Sequence, residues 1–430
     1  MPPKKRLVPL LAALLLALGL RVAVPAYRRL THRIEPLDSV PAQRHGGLLD
    51  RNGPHVVLHV AGSPEEMGRQ HGALLAATIK QMLELYILND HMIPNDPGNW
   101  RRQKLVSDVR TMRSALPAWF LAECDACADA AGVDRDVLLM AQCEGDLKDA
   151  AWDPKAGGAP LPERFTPAPD APDPNAPAPP SEAEACSSYV AFGPATAGGN
   201  IEAGRNFDYG SAARFIGQAG LVTRYRPAEG HRFVAVGWAG ILTGWTLINE
   251  HGLIVANHLG GGKIRRVAAV PTLILARMVA QHAATVDEAV AIIRETPRMR
   301  GQIIWIAQPA DPASGRTARA VAVEYDAQDV AVREAENGLL LVTNTNRALR
   351  GGVPESEVPC HRYKRLRRYA QESYGRLDGS EMLTARRGVV LRSTVHIVQF
   401  LPSERVFLLR HGLMPASKAA TVRHPLPGTE

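Results

Sequence analysis

The chain has 430 residues, 46% of them hydrophobic, which is enough to bury a large core in one big domain or two. Its formal charge is +7, and Lys4, Lys5, Arg6, Arg21, Arg28, Arg29 and Arg33 account for all of it before the first acid, Glu35. Residues 35–430 are therefore formally neutral, so charge is no argument for nucleic-acid binding, and no RNA-binding or zinc-finger signature supplies one.

Lys4-Lys5-Arg6 precede an apolar run from Leu7 to Leu20, and Val24-Pro25-Ala26 offer a cleavage-type end. That order is the order of an export signal. The run falls short of the ~20 residues that span a bilayer unless Arg21 snorkels and Val22 to Ala26 extend it. Residues 1–26 are read as a signal peptide or a membrane anchor, and the protein as exported, periplasmic or membrane-anchored.

"HVVLHVAG" then alternates like a strand, and "SPEEMGRQHGALLAATIKQMLELYIL" carries a helical pattern. Ser63 stands at its N-cap, Pro64 at its first position and Glu66 three residues on, as in a capping box. Helical periodicity continues from Leu105 to Ala131 and from Asp134 to Ala150, so residues 35–152 form a mainly helical unit. The next stretch differs. Ten of the 33 residues from Asp153 to Ala185 are proline, and only Leu161 and Phe165 are bulky and apolar. Such a run cannot bury enough surface to offset its ordering entropy, and is read as an exposed Pro/Ala-rich linker.

From Cys186 the pattern turns to strands: "CSSYVAFG", "NIEAGRNFD", "GLVTRYR", "HRFVAVGWAG", "GWTLIN" and "GLIVANHL". A helix over about 271–296 breaks near Thr285, where Thr285 and Glu288 make a second capping box. Then come "GQIIWIA", "RAVAVEY" and "GLLLVTN", two basic helices between Val358 and Arg387, and a closing hairpin, "STVHIVQFLPSERVFLLR". This alternation predicts layered sheets flanked by helices. The basic run "HRYKRLRRYAQ" reads as an amphipathic helix burying Tyr363, Leu366 and Tyr369 or Ala370, with its basic side in solvent.

The five cysteines leave at least one thiol unpaired in any compartment. Cys124 and Cys127 have redox or metal spacing but lie in a helical pattern, with no second pair to complete a zinc site; they read as buried helix residues. Cys186 differs because it follows the linker. A cut before it would give it a free α-amine, whose usual pKa near 7.7 to 8 suits it to take the proton of a thiol near 8.5. One residue would then supply nucleophile and general base, and the same thiol would attack the Ala185 carbonyl in self-cleavage.

"CSSYVAFGPATAGGNIEAGRNFDYG" resembles the start of the mature chain in N-terminal-nucleophile (Ntn) amidohydrolases of the acyl-CoA:isopenicillin N acyltransferase type. Those enzymes begin with a catalytic cysteine, and an Arg-x-x-Asp or Arg-x-Asp closes the second strand. "GSPEEMGRQHG" is similar to the opening of their propeptide, and "EHGLIVANHLGGG" to the strand leading to a pocket asparagine. The resemblance covers about 55–412, apart from the linker. It implies an α+β fold, the αββα four-layer Ntn sandwich with an N-terminal helical pro-segment, in which residues 186–430 are the catalytic part.

Carried over, the resemblance makes Cys186 the nucleophile. Asp208 orients the α-amine, Arg205 sits against the thiol, and Asn346 of "VTNTNR" and Asn257 of "VANHLG" donate to an oxyanion. Three departures stand out: Ala185 replaces the common glycine before the cysteine, Asn344 and Arg347 replace the flanking histidines, and the linker is an insertion. The implied reaction is cleavage or transfer of the acyl group of a linear amide through a Cys186 thioester, with no metal or organic cofactor. The implied partners are a small-molecule or lipid-like amide substrate, the cleaved pro-segment as an α/β heterodimer, and a membrane surface, but no nucleic acid. The alternative is a non-enzymatic, membrane-tethered binding protein that keeps the fold. A serine hydrolase is disfavoured because no Gly-x-Ser-x-Gly elbow occurs.

Overall fold

The computed structural model describes residues 33–35, 40–91, 100–143, 145–147, 186–210, 213–261 and 266–428. The export segment, residues 1–26, and the linker, 153–185, lie outside the described residues. Two sheets dominate. The larger has ten strands, in spatial order β1 (Ala42–Arg44), β2 (Gly47–Asn52), β3 (His55–Gly62), β6 (Gly220–Pro227), β7 (Phe233–Trp238), β8 (Thr246–Asn249), β9 (Ile254–Leu259), β10 (Gln302–Gln308), β11 (Arg319–Tyr325) and β12 (Val330–Glu334). The smaller has six: β13 (Leu339–Val342), β4 (Ser187–Gly193), β5 (Gly199–Asp208), β14 (Thr394–Leu401), β15 (Val406–Arg410) and β16 (Val422–Pro425).

Why the sheets stack is visible in β10. Ile303, Trp305 and Ala307 enter a core shared with Val190, Ala203 and Val398 of the smaller sheet, whereas Ile304 and Ile306 enter a core shared with helices. Alternate residues of a strand face opposite sides, so the unbroken apolar run "IIWIA" belongs to a strand buried on both faces. Helices α1 (Pro64–Met82), α3 (Ala118–Ala131), α6 (Thr272–His282) and α7 (Val286–Glu295) supply the outer core of the larger sheet. On the other side, Tyr363, Leu366 and Ala370 of α8 (His361–Glu372) pack with Tyr189, Ala191 and Leu341 of the smaller sheet. The layers run helix, sheet, sheet, helix, as the resemblance implied.

Local signals explain the element ends. Ser63 accepts from the Glu66 backbone N–H at 3.3 Å, and the Glu66 carboxylate accepts from the Ser63 N–H at 2.7 Å, closing the first capping box. Thr285 caps α7 by accepting from the Glu288 N–H at 3.2 Å, while the Glu288 carboxylate accepts from Ala284. The periodicity from Leu105 to Ala131 is two helices, α2 (Trp100–Arg113) and α3, because Pro117 lacks an N–H and forces Leu116 out of helical backbone. Of the two basic helices expected between Val358 and Arg387, only α8 forms; Gly375 and Gly379, at φ +76° and +79°, turn the chain, and Leu383–Ala385 is a single 3₁₀ turn.

The first third is less purely helical than expected. β1 and β2 form a hairpin turning at His45-Gly46, both at positive φ, and β3 pairs in parallel with β6. Strands β1 to β3 thus share the larger sheet with β6 to β12, all of which follow Cys186. The helices after them are held as firmly. Gly68 and Gly72 let α1 meet α3 backbone to backbone, since a Cβ on either would strike the carbonyl of Glu123 or Cys127. The Gly72→Ala variant is expected to lose about 1–3 kcal/mol or more, read as a fall in urea midpoint at unchanged m-value.

On another side of α3, Glu123 takes both arms of Arg277 of α6, at 2.9 and 2.5 Å, with both side chains buried. Arg277 also donates to the Leu242 carbonyl at 2.5 Å and lies 4.6 Å above the Tyr225 ring. Cys124 and Cys127 are buried on α3, as the helical pattern indicated, and burial raises both thiols far above the usual range.

Candidate active site

Cys186 precedes β4, and the register pairs Ser187 with Asn206 and Ser188 with Arg205. The antiparallel pairing of β4 and β5 therefore returns the chain so that Arg205 to Asp208 end beside Cys186. The thiol is buried at 4% exposure. It receives an Arg205 N–H at 3.7 Å and the Asp208 backbone N–H. Burial pushes the thiol above its usual range, opposed chiefly by the Arg205 charge.

Arg205 is fully buried and reaches from the smaller sheet to the larger. Its guanidinium donates to the Trp245 carbonyl, to the Thr246 hydroxyl, and to the Asn257 carbonyl at 2.6 Å. Three oxygens from β8, β9 and the residue before β8 thus fix one cation against the thiol. Asp208 is fully buried too. It accepts from the Thr394 hydroxyl across the β5–β14 pair and lies 3.5 Å from Arg362. Desolvation outweighs both partners and pushes its carboxyl up to about 7.

Arg362 is the residue that sequence reasoning missed. Its helix does bury Tyr363, Leu366 and Ala370 as expected, but Arg362, its second residue, points inward at 3% exposure. It donates to the Cys186 carbonyl at 2.9 Å, to the Cys360 sulfur at 3.4 Å, and to Asp208. No periodicity marks it, because one arginine in a run of basic residues looks like any other. Removing its charge as Arg362→Met should raise the Asp208 carboxyl further. The acid limb of the pH–rate profile is then expected to move to higher pH, and an unmoved limb would separate Arg362 from Asp208.

A cavity of about 70 Å³ lies at the thiol, lined by Cys186, Phe207, Asp208, Trp245 and Asn257. Cys143 and Asp146, from before the linker, complete the wall. Asp146 is buried and accepts from the Thr272 N–H at 2.5 Å and the Gln302 amide at 3.2 Å. The segment from Ala239 to Trp245 is braced from the same side: the Gly240 N–H donates to His71 at 3.1 Å, and the Gln142 amide joins the Gly240 carbonyl at 2.8 Å to the Leu242 N–H at 2.7 Å. Trp245 then stacks on Phe207 with ring centres 4.3 Å apart. At about 10–15 Å³ per water-sized probe, the cavity has room for roughly five to seven waters.

Cys186, Arg205, Asp208 and Asn257 are thus brought together. Asn257 lines the cavity, and its side-chain oxygen has no hydrogen-bond partner among the described residues. Asn346 stands apart from the lining, with its amide donating to the Gly261 carbonyl just past β9. Its loop is fixed by Glu324 of β11, whose carboxylate accepts the backbone N–H groups of Arg347, Ala348 and Leu349 at 2.7, 2.7 and 3.0 Å.

With that geometry in place, residues 197–386 match the family model described as acyl-coenzyme A:6-aminopenicillanic acid acyl-transferase. The match contains Arg205, Asp208, Asn257, Asn346 and Arg362 and begins past Cys186 itself. An uncharacterized protein of Archaeoglobus fulgidus is 27% identical over 310 residues, 67% of this chain and 46% of its own, so the chain spans about half the length of that relative. Among solved structures, an N-acylethanolamine-hydrolyzing acid amidase ortholog of Caenorhabditis elegans aligns over 56% of this chain and 100% of its own, with 17% identity and a TM-score of 0.40. A conjugated bile acid hydrolase of Clostridium perfringens aligns over 55% and 96%, with 10% identity and a TM-score of 0.37.

Proposed function

We propose that the chain is a self-processing cysteine amidase or acyltransferase with Cys186 as nucleophile. The observation that carries this reading is a buried thiol, at the head of a strand, held between the Arg205 guanidinium and the Asp208 backbone N–H. The match of residues 197–386 to the acyl-transferase family model agrees with it.

In the uncut chain, the Cys186 sulfur attacks the Ala185 carbonyl carbon while the thiol proton passes to the departing Cys186 nitrogen. The Ala185–Cys186 C–N bond breaks, leaving a thioester that water hydrolyses. A free α-amine and a free thiol on Cys186 result. In the mature enzyme that amine takes the thiol proton, and the thiolate attacks the carbonyl of a linear amide. The amine leaves with the proton, and the thioester passes its acyl group to water or to a second amine. Asp208 accepts hydrogen bonds from the α-amine, and Arg205 stabilises the thiolate. Asn257, at the cavity, is better placed than Asn346 to donate to the oxyanion.

The cavity wall includes Cys143 and Asp146, from the side of the proposed cut that precedes the linker. Strand β3 and the Glu123–Arg277 pair would keep the two fragments together as a heterodimer. The basic and apolar start of the chain supports export. The reading is tested by acid-quenching mature protein during turnover of N-acyl amides and weighing the fragment that starts at Cys186. A mass gain equal to the acyl group, absent from Cys186→Ser at neutral pH and released by hydroxylamine, is expected. Turnover with no thioester on that fragment would place the chemistry elsewhere.

A further inference from the structure

His231, Glu250 and His251 meet where the loop before β7 crosses the β8–β9 turn. His231 Nδ1 and His251 Nε2 are 3.1 Å apart, and the rings stand nearly perpendicular at 84°. Glu250 Oε1 lies 3.9 Å from His231 Nδ1, and all three ligand atoms fall within 4.8 Å of one another. Among the described residues no other group of three histidine, cysteine or acidic side chains is so arranged.

The backbone around the cluster is tied down before any ligand arrives. The His231 N–H donates to the Gln281 carbonyl at 2.7 Å. Arg232 and Glu250 hold each other twice: the Glu250 N–H donates to the Arg232 carbonyl at 2.9 Å, and the Arg232 N–H to Glu250 Oε1 at 3.0 Å. Asn249 accepts from the His251 and Leu253 N–H groups at 3.1 Å each, while its own buried amide is clamped to the Ala280 and Ala283 carbonyls.

We propose that His231, Glu250 and His251 form a binding site for one divalent transition-metal ion of the zinc or nickel type, pinning the loop before β7 to the β8–β9 turn. Two imidazole nitrogens about 2.0–2.1 Å from an ion and 3.1 Å from each other subtend roughly 100° at it, between the octahedral and tetrahedral angles. Two imidazoles and one carboxylate suit zinc, nickel or copper better than calcium or magnesium, which prefer all-oxygen sets. The half-exposed side chains leave room for water at the remaining positions. In the metal-free chain one ring donates its hydrogen to the other. On binding, that hydrogen moves to the ring's outer nitrogen, so His231 holds its hydrogen on Nε2 and His251 on Nδ1, both facing nitrogens present lone pairs, and no proton is lost. The cluster lies before β9 starts at Ile254, Asn257 lies a further three strand residues or about 10 Å along β9, and the cluster takes no part in the acyl chemistry.

The test uses full-length, tag-free protein stripped with a chelator. Titration with Co²⁺ should give one ion per chain and visible d–d absorption without thiolate charge-transfer bands. Zn²⁺ at a hundred times its dissociation constant should raise the folded-to-unfolded ratio about a hundredfold. His231→Ala and His251→Ala should each weaken binding more than tenfold while leaving acyl turnover unchanged. His251→Gln serves if the alanine variant does not fold. The proposal is overturned by no saturable binding to the stripped wild type, by one-to-one binding that survives these substitutions, or by thiolate bands that put the ion on cysteine.

Discussion

Replacing Asp208 with asparagine is expected to cost at least about a hundredfold in turnover, the low end of what a positioned acid–base group contributes, without unfolding the protein. The shape is kept, so no cavity opens. What goes is the acceptor that would orient the Cys186 α-amine. Stability should move the other way, and the sign follows from the carboxyl being pushed from 3.8 up to about 7 by burial. A group whose folded value lies above its unfolded one favours the folded state most at low pH, and that contribution fades as pH rises through the folded value. The asparagine variant has no such loss. Its stability relative to wild type should grow from pH 4 to pH 7 and then level off, by a few kcal/mol at most, because Arg362 loses part of its pairing. Urea denaturation across that range measures it. An advantage that shrinks with rising pH would mean that Asp208 is an ordinary paired carboxylate.

Cys186→Ala should abolish both steps. No thiol remains to attack the Ala185 carbonyl, so the purified protein should stay as one chain, and amide turnover should fall to background. Cys186→Ser should slow both, since a hydroxyl is much the poorer nucleophile near neutral pH. Turnover in the alanine variant at more than a small fraction of wild type would remove Cys186 from the chemistry.

Much of this was readable in the residues because the signals were local. Ser63-Pro64 with Glu66 starts α1, Thr285 starts α7, and the alternation of "CSSYVAFG" and "NIEAGRNFD" yields the hairpin that carries Arg205 and Asp208 back to Cys186. What stayed hidden depends on tertiary contact. The β1–β2 hairpin is short and turns on His45-Gly46, a weaker signal than Asn-Gly, and nothing nearby announces that β3 will pair with a strand more than a hundred residues on. Arg362 looks solvated until α8 is docked on the smaller sheet. Gly68 and Gly72 read as weak motif glycines until α3 lies across them. Asn257 and Asn346 each follow an apolar run, and only the fold shows that Asn257, inside β9, lines the cavity whereas Asn346, past the end of β13, does not.

The central claim is that Cys186 becomes an N-terminal residue by its own chemistry, and N-terminal sequencing with intact mass of the purified wild-type protein tests it most directly. Two fragments are expected, the larger beginning Cys186-Ser187-Ser188 and running to the C-terminus. An active protein in which the Ala185–Cys186 bond is uncut would contradict it.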